Sequence, residues 1–415
     1  MRSTFAMAAL MAVIGRCSEL PWPPSSPEAA PEIPRAGAAG TTGVTGGTSR
    51  PGESDSDAGV ETSLDAGASE PPLPAAGRRT PLRGQNAGAE LCVGPPGLYA
   101  EGTCAKLATG VATYTPEYEL WADSAQKQRY IYLPPESVVD TSNPDRWSFP
   151  VGTRLYKTFS LHGVKLETRL LEKLAPEASS QSWSMVSYLW SADQRSVSLA
   201  DANGVADVLG TEHDVPSQMQ CRSCHTLTGE GLDAINGFGA VQLNHDRTGW
   251  NLQRLIAAGV LVNVAGGIPN VDVESARVPG DATAQAALGY LHGNCGHCHG
   301  GPSPRAGLHL WLQVGTNSVE QSSVYRESVC QCLTRWKGRA TADGSEYTWR
   351  ITPGDAAHSG VLGRMAVRGK DEQMPPLGTD LVDPVGVQQV TSWIASLPVD
   401  VCPSPSSCVT PEAPP

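Results

Sequence analysis

The organisation of this chain follows from one pentapeptide, Cys295-Gly296-His297-Cys298-His299, and from an upstream copy of its pattern, Cys221-Arg222-Ser223-Cys224-His225. Both have the spacing C-x-x-C-H. At this spacing two thiols on one helical turn add to the two vinyl groups of a haem, and the His that follows ligates the iron. The sequence therefore predicts two covalent haems c, attached through Cys221, Cys224, Cys295 and Cys298 and ligated by His225 and His299.

Two simpler interpretations of these motifs are a CxxC redox pair and half of a zinc site. Both motifs carry the additional His, which a redox pair does not need. No further CxxC stands at the spacing of a zinc ribbon. We therefore favour haem attachment.

The length and net charge of the chain limit the number of domains and the kind of partner that we expect. With 415 residues the chain has room for two ordered domains and tails. Its formal net charge of −12 predicts an acidic soluble surface and argues against a nucleic-acid partner.

The N-terminus has the pattern of an export signal. Arg2 precedes an apolar run over residues 4–15 that is too short to span a bilayer as a mature helix. We expect residues 1–17 to be a signal segment and the protein to be exported, in the periplasm or attached to the outer membrane. Cys17 stands where a lipoprotein cysteine would give membrane attachment, but Arg16 occupies a position that normally holds a small residue. Lipidation stays open.

Cysteine usage fits an oxidising compartment. Of the eleven cysteines, four belong to the motifs, and if Cys17 is lipidated six remain for three disulfides. Proximity in sequence predicts two local pairs, Cys92 with Cys104 and Cys402 with Cys408. Cys330 and Cys332 are then left over, and a bridge between them would be strained.

The chain before the first motif divides into two parts. Residues 18–90 are rich in Pro, Gly, Ala, Ser and Thr without periodicity, so we expect a disordered tether. Residues 91–213 contain apolar and polar positions that alternate with period two, which predicts a β-rich domain. The predicted strands lie at residues 129–133, 153–159, 164–171 and 183–190, with a His162-Gly163 turn between the second and third.

The rest of the chain carries the motifs. We assign residues 214–278 to a first haem-binding segment with a short helix over residues 250–259. Residues 279–400 are expected to form a mainly α-helical domain like a class I cytochrome c, and residues 401–415 a tail. The predicted fold class is α+β and multi-domain.

The order of features in the second haem segment supports this assignment. Asp281 is expected to cap a helix that leads to the motif, and a terminal helix is expected to begin at Pro384. Between them lies the loop Met374-Pro375-Pro376. This order is typical of class I cytochromes c.

Met374 is the predicted sixth ligand of the second haem (haem two). A thioether paired with imidazole raises the reduction potential, and the prolines restrict the loop that presents it. The sixth ligand of the first haem (haem one) stays open, since Met219 is too close to Cys221 to reach the opposite face. The other candidates are Met185, His213, His245, His292 and Met365. A five-coordinate haem one is the alternative.

The chain also resembles a family of bacterial exported diheme c-type cytochromes over residues 114–397, apart from residues 324–336. The resembling segments are Tyr118 to Arg129, Leu133-Pro134, Phe149-Pro150-Val151-Gly152-Thr153, Glu167-Thr168-Arg169-Leu170, Tyr188-Leu189-Trp190, Gln220 to His225, Gln242-Leu243-Asn244, Asn294 to His299, Pro353-Gly354-Asp355 and Met374-Pro375-Pro376-Leu377-Gly378. The resemblance implies two covalent haems and an envelope location, but no settled substrate.

Electron transfer is the leading function predicted by these features. Haem two would exchange one electron with unknown redox partner proteins, and haem one would relay it. The alternative is a diheme oxidoreductase or peroxidase in which haem one is an open catalytic site. Against it, known diheme peroxidases begin their first motif early, whereas here it begins at Cys221. A third class is a haem-containing subunit or binding module whose β-domain docks onto a dehydrogenase or an extracellular ligand.

Overall fold

The computed structural model describes residues 91–225, 233, 235–264, 266–301, 304–333, 336, 339–399 and 401–408. The predicted signal segment with Cys17, the predicted tether over residues 18–90 and the end of the predicted tail lie outside the described residues.

A six-stranded antiparallel sheet occupies residues 111–199. The strands of the described chain are β1 (Val111–Tyr114), β2 (Gln126–Tyr132), β3 (Val139–Asp140), β4 (Arg154–Leu161), β5 (Val164–Lys173), β6 (Trp183–Trp190), β7 (Val197–Leu199) and β8 (Leu261–Val262). The sheet has the order β1-β2-β4-β5-β6-β7, and β3 pairs in parallel with β8. The predicted hairpin is confirmed, because β4 and β5 are joined at His162-Gly163, whose φ angles are +50° and +82°.

The two faces of the sheet bury different layers, because alternate residues of a strand point to opposite sides. On one face, Tyr130 and Tyr156 pack against Leu98 from the chain before β1. On the other, Ile131 and Leu155 belong to a larger apolar cluster that includes residues following the first motif. We call this second face the motif face.

A buried ion pair fixes the chain after the first motif to the sheet. Asp233 accepts hydrogen bonds from Lys173 Nζ at 2.6 Å, from Trp183 Nε1 at 2.9 Å and from Phe149 N at 2.8 Å. Both charged side chains are at most 1% exposed. Removing one partner of such a pair typically costs about 3–5 kcal/mol, because the other charge is left buried alone.

Helices follow the sheet in the chain. They are α1 (Gln218–His225), α2 (Ala240–Leu243), α3 (Leu252–Ala257), α4 (Ala282–Asn294), α5 (Ser323–Ser328), α6 (Gly360–Met365) and α7 (Pro384–Ser396). Short 3-10 turns lie at Ser180–Ser182, Val208–Gly210, Arg305–Gly307 and Pro405–Cys408. Within the described chain, none of the helices is long and apolar enough to cross a membrane.

The predicted helix signals are confirmed at three positions. Asp281 accepts from Ala284 N at the start of α4, and Asp383 accepts from Val385 N and Gly386 N at the start of α7. The short helix expected over residues 250–259 is α3, which is capped by Asn251.

Helices α4 and α7 pack against each other. Gly386 permits this contact, since a Cβ at this position would lie 2.1 Å from the ring of Tyr290. Leu288, Leu291, Trp393 and Ile394 are at most 1% exposed and form the centre of the second apolar cluster. Together with the sheet, these helices make the fold α+β.

Three disulfides join the described cysteines outside the motifs. The predicted Cys92–Cys104 bridge is confirmed. The predicted Cys402–Cys408 pair is wrong, because the bridges are Cys330–Cys402 and Cys332–Cys408. The prediction paired the cysteines that are close in sequence. The fold instead brings Cys330 and Cys332 to two different C-terminal cysteines.

Candidate functional site

The second motif continues directly from α4. Cys295 donates its backbone N–H to Leu291 O at 2.9 Å, and His299 donates to Cys295 O at 2.9 Å, so the motif keeps a helical turn. His299 Nδ1 lies 2.9 Å from Arg305 O. A carbonyl oxygen only accepts, so Nδ1 carries the proton and Nε2 keeps the lone pair that a metal needs.

The surroundings keep His299 neutral. Burial is the main cause that lowers the pKa of His299 to about 4; the charges of His297 and Arg364 act in the same direction, and hydrogen bonds with the backbone of Arg305 and Leu308 oppose it. The glycines beside the motif allow the chain after it to approach. At Gly300 a Cβ would lie 2.3 Å from Gly296 O and 2.6 Å from Trp311 Cβ.

Met374 lies in a loop that is anchored on α6. Its backbone N–H donates to Arg364 O at 2.9 Å, and Arg364 Nε donates to Glu372 O at 2.7 Å. Arg368 Nη1 donates to Met365 O at 3.0 Å. Because the charge of Arg364 also acts on His299, the Met374 loop and the second motif belong to one neighbourhood.

The first motif forms α1, which starts with a reciprocal cap. Ser217 Oγ accepts from Gln220 N at 3.2 Å, and Gln220 Oε1 accepts from Ser217 N at 2.9 Å. Cys221 packs against the apolar cluster of the motif face. Cys224 O accepts a hydrogen bond from Asn236 Nδ2 at 3.3 Å.

The two motifs meet in space although they are far apart in sequence. The ligand atoms of Cys224, His297 and Cys298 all lie within 4.8 Å of one another. A hydrogen bond joins the two thiols and separates their pKa values, so that of Cys224 falls well below its usual range and that of Cys298 rises. Attachment positions of the two predicted haems are therefore neighbours.

A segment over residues 117–123, here called the strap, connects the parts of this site. Tyr118 N donates to Gln242 Oε1 at 3.0 Å, and Trp121 N donates to Asn294 Oδ1 at 2.7 Å, just before Cys295. The carboxylate of Asp123 accepts from Asp380 N at 3.0 Å and from Leu381 N at 2.9 Å, in the loop after Met374. The strap could not be recognised from the sequence beyond the resemblance, because its contacts follow no local periodicity.

Two histidine candidates for the sixth ligand of haem one have no free lone pair, because His245 Nδ1 also accepts from Arg247 N at 3.2 Å and the ring proton of His292 lies on Nε2. His213 Nε2 lies 3.0 Å from Glu167 Oε1, and His245 Nε2 lies 2.6 Å from Thr115 O. His292 Nδ1 accepts from Leu312 N at 3.0 Å. The methionine candidates are core residues, with Met185 6% and Met365 5% exposed.

The donor set of the site fits haem attachment. Among the described cysteines, the four thiols of the motifs are free while the remaining six form disulfides. Arg368 Nε and Thr379 Oγ1, which flank the Met374 loop, are buried without a hydrogen-bond partner. Such donors suit the carboxylates of a haem, and the unprotonated Nε2 of His299 suits its iron.

Comparison of the chain with protein families, with curated proteins and with solved structures found no match.

Proposed function

We propose that the chain is a diheme c-type cytochrome that transfers single electrons in the bacterial cell envelope. In this proposal residues 279–400 form a domain like a class I cytochrome c, with α4, the second motif, the Met374 loop and α7 as its parts. The observation that carries the proposal is the contact between the two C-x-x-C-H motifs at Cys224, His297 and Cys298. Haems attached to neighbouring thiols are held close to each other, as a relay requires.

A bound haem supplies reversible one-electron chemistry at its iron. The chain supplies the thiols for attachment, the imidazole of His299 oriented by Arg305 O, and the thioether of Met374. Buried residues of α4 and α7 exclude water from the neighbourhood of Cys295, which packs against them. A His–Met ligand pair and a dry surrounding both tune the potential.

The three disulfides support an envelope location, since such bridges persist in oxidising compartments. The formal charge of −12 favours redox partner proteins with a basic docking surface.

A redox titration of the exported holoprotein tests this function. We expect two one-electron steps per chain in the wild type, and one step in each of the variants Cys221→Ala/Cys224→Ala and Cys295→Ala/Cys298→Ala. Cys92→Ala/Cys104→Ala is the matched control, since it removes two cysteines outside the motifs and should keep both steps. A wild type with fewer than two steps would contradict the proposal.

A diheme oxidoreductase with an open haem one is the second candidate. The observation that favours it is that His245 uses both ring nitrogens in hydrogen bonds and that His292 Nδ1 accepts from Leu312 N, so neither has a lone pair for iron. Carbon monoxide added to the reduced holoprotein distinguishes the two functions. A shift in half of the haem absorbance would support an open haem one, and no shift would support simple electron transfer.

A further inference from the structure

Basic side chains form a row across the motif face of the sheet. Arg129 on β2, Lys157 on β4 and Arg169 on β5 are direct cross-strand partners. Direct partners point to the same face, and like charges at such positions repel each other. Lys127 lies two residues before Arg129 on the same face. We call Lys127, Arg129, Lys157 and Arg169 the cation row.

Only part of this charge is compensated. Glu119 accepts from Arg129 Nη1 at 2.8 Å, and Glu167 accepts from Arg169 Nε at 2.8 Å. Glu119, Asp123 and Asp383 also act on the charge of Lys127, which leaves Lys157 as the cation of the row without a paired carboxylate. The Lys157 ammonium makes no hydrogen bond or ion pair to the described residues and lies 5.6 Å from the centroid of the Phe159 ring.

The surplus charge is held in a partly desolvated place. Arg129 is 5% exposed, and Lys157 is half-buried. Burial, together with the neighbouring cations, lowers the pKa of Lys157 well below its ordinary value, and burial lowers the pKa of Lys127 to about 8. Holding an uncompensated charge away from water costs free energy, so an anion bound at the cation row would stabilise it.

The first motif stands beside the row. The Cys221 and Cys224 thiols lie close enough to Arg169 to interact with its charge, and Cys221 packs on the motif face. A haem attached there brings two propionate carboxylates, which supply the negative charge that Lys157 lacks.

We propose that the cation row binds the propionate carboxylates of haem one, with Lys157 as their main partner. This inference rests on the proposed function, since it requires a haem on the first motif. Positive charge beside a haem disfavours its oxidised state, so the row raises the reduction potential of haem one.

The test is a spectroscopic redox titration of the holoprotein. We expect Lys157→Met to shift one of the two midpoint potentials to a more negative value and to leave the other unchanged. Lys157→Arg keeps the charge and should restore the potential. Lys165→Met is the matched control, because Lys165 is a strand lysine that contacts Tyr99 and Trp190 on the opposite face and should shift neither potential. We expect Lys127→Met to shift the midpoint potential of the same haem by a smaller amount in the same direction. This variant replaces Lys157→Met in the test if Lys157→Met does not accumulate.

The outcomes separate this inference from the proposed function. Haem content is measured on the same samples, and a wild type without a haem on the first motif contradicts the proposed function and this inference together. Two haems with potentials that are unchanged in both Lys157→Met and Lys127→Met overturn the inference alone. The titration is repeated with and without inorganic phosphate, and a shift that appears only with phosphate would assign the row to a free anion and also overturn it.

Discussion

At the residue scale, haem binding depends on how single side chains present donor atoms. His299 has one ring nitrogen bound to Arg305 O, which leaves the other for iron. This bond was not visible in the sequence, because Arg305 follows the motif in a loop without periodicity. The motif itself was predictable, since attachment chemistry requires a fixed local spacing of Cys and His.

Met374→Ala tests the predicted ligand of haem two. We expect the potential of that haem to fall by on the order of 0.1 V, a part of the roughly 0.8 V range that axial ligands control. The reduced haem should also gain the ability to bind carbon monoxide. Met219→Ala is the control, since Met219 is 79% exposed and should change neither property. An unaltered potential in Met374→Ala would remove Met374 from the ligand set.

His292 gives a prediction on pH. Burial, with the charges of Arg146 and His297, lowers the pKa of His292 to about 3. The unfolded chain binds this proton near pH 6.5, so the free energy of unfolding falls as pH drops from about 6.5 towards 3. Between pH 7 and 5 the contribution is about 2 kcal/mol.

Urea unfolding at pH 7 and pH 5 measures this contribution. In His292→Gln, whose amide oxygen can still accept from Leu312 N–H, the loss between the two pH values should be smaller than in the wild type by about 2 kcal/mol. Equal losses in both proteins would show that His292 does not titrate as its burial requires.

At the scale of elements, the strap holds the pieces of the site in register. Its partners Gln242, Asn294 and Leu381 come from three different parts of the chain. The strands β2, β4, β5 and β6 and the helices α3, α4 and α7 were predictable, because period-two alternation, the His162-Gly163 turn and the caps at Asp281 and Asp383 are local signals. The strap's contacts and the cation row depend on which strands and segments become neighbours, and no local signal specifies this.

Asp123→Asn tests the strap. The amide of Asn replaces one acceptor oxygen with an NH₂ donor that faces a backbone N–H, so one hydrogen bond to residues 380–381 is lost. Asn tolerates the left-handed backbone at position 123, where φ is +47°. We expect the haem content to stay at the wild-type value while carbon monoxide gains access to haem two. Asp193→Asn, at an exposed turn where the carboxylate accepts from Arg195 N, is the control. If the two variants behave alike, the strap does not position the Met374 loop.

At the scale of the whole molecule, two disulfides tie the C-terminal segment to the chain after α5. Cys330–Cys402 and Cys332–Cys408 close loops of 72 and 76 residues. Sequence proximity predicted the short Cys92–Cys104 loop correctly. It failed for the other two bridges, because their cysteines come close to each other only when α7 packs on α4.

Peptide mapping without reduction checks these pairs and should recover Cys330 linked to Cys402 and Cys332 linked to Cys408. Cys332→Ala/Cys408→Ala should lower the free energy of unfolding by about 2–4 kcal/mol, because the denatured chain regains the freedom of a long loop. Recovery of a peptide with Cys402 linked to Cys408 would contradict the fold of this segment.

The intact mass of the exported protein shows whether both motifs carry a covalent haem. We expect a mass increase of two haems over the disulfide-bonded chain, which is retained under denaturing conditions because thioether bonds hold the haems. When either motif has lost its cysteines, we expect an increase of one haem. A chain without haem mass that instead holds zinc through Cys224, His297 and Cys298 when measured under native conditions would contradict it.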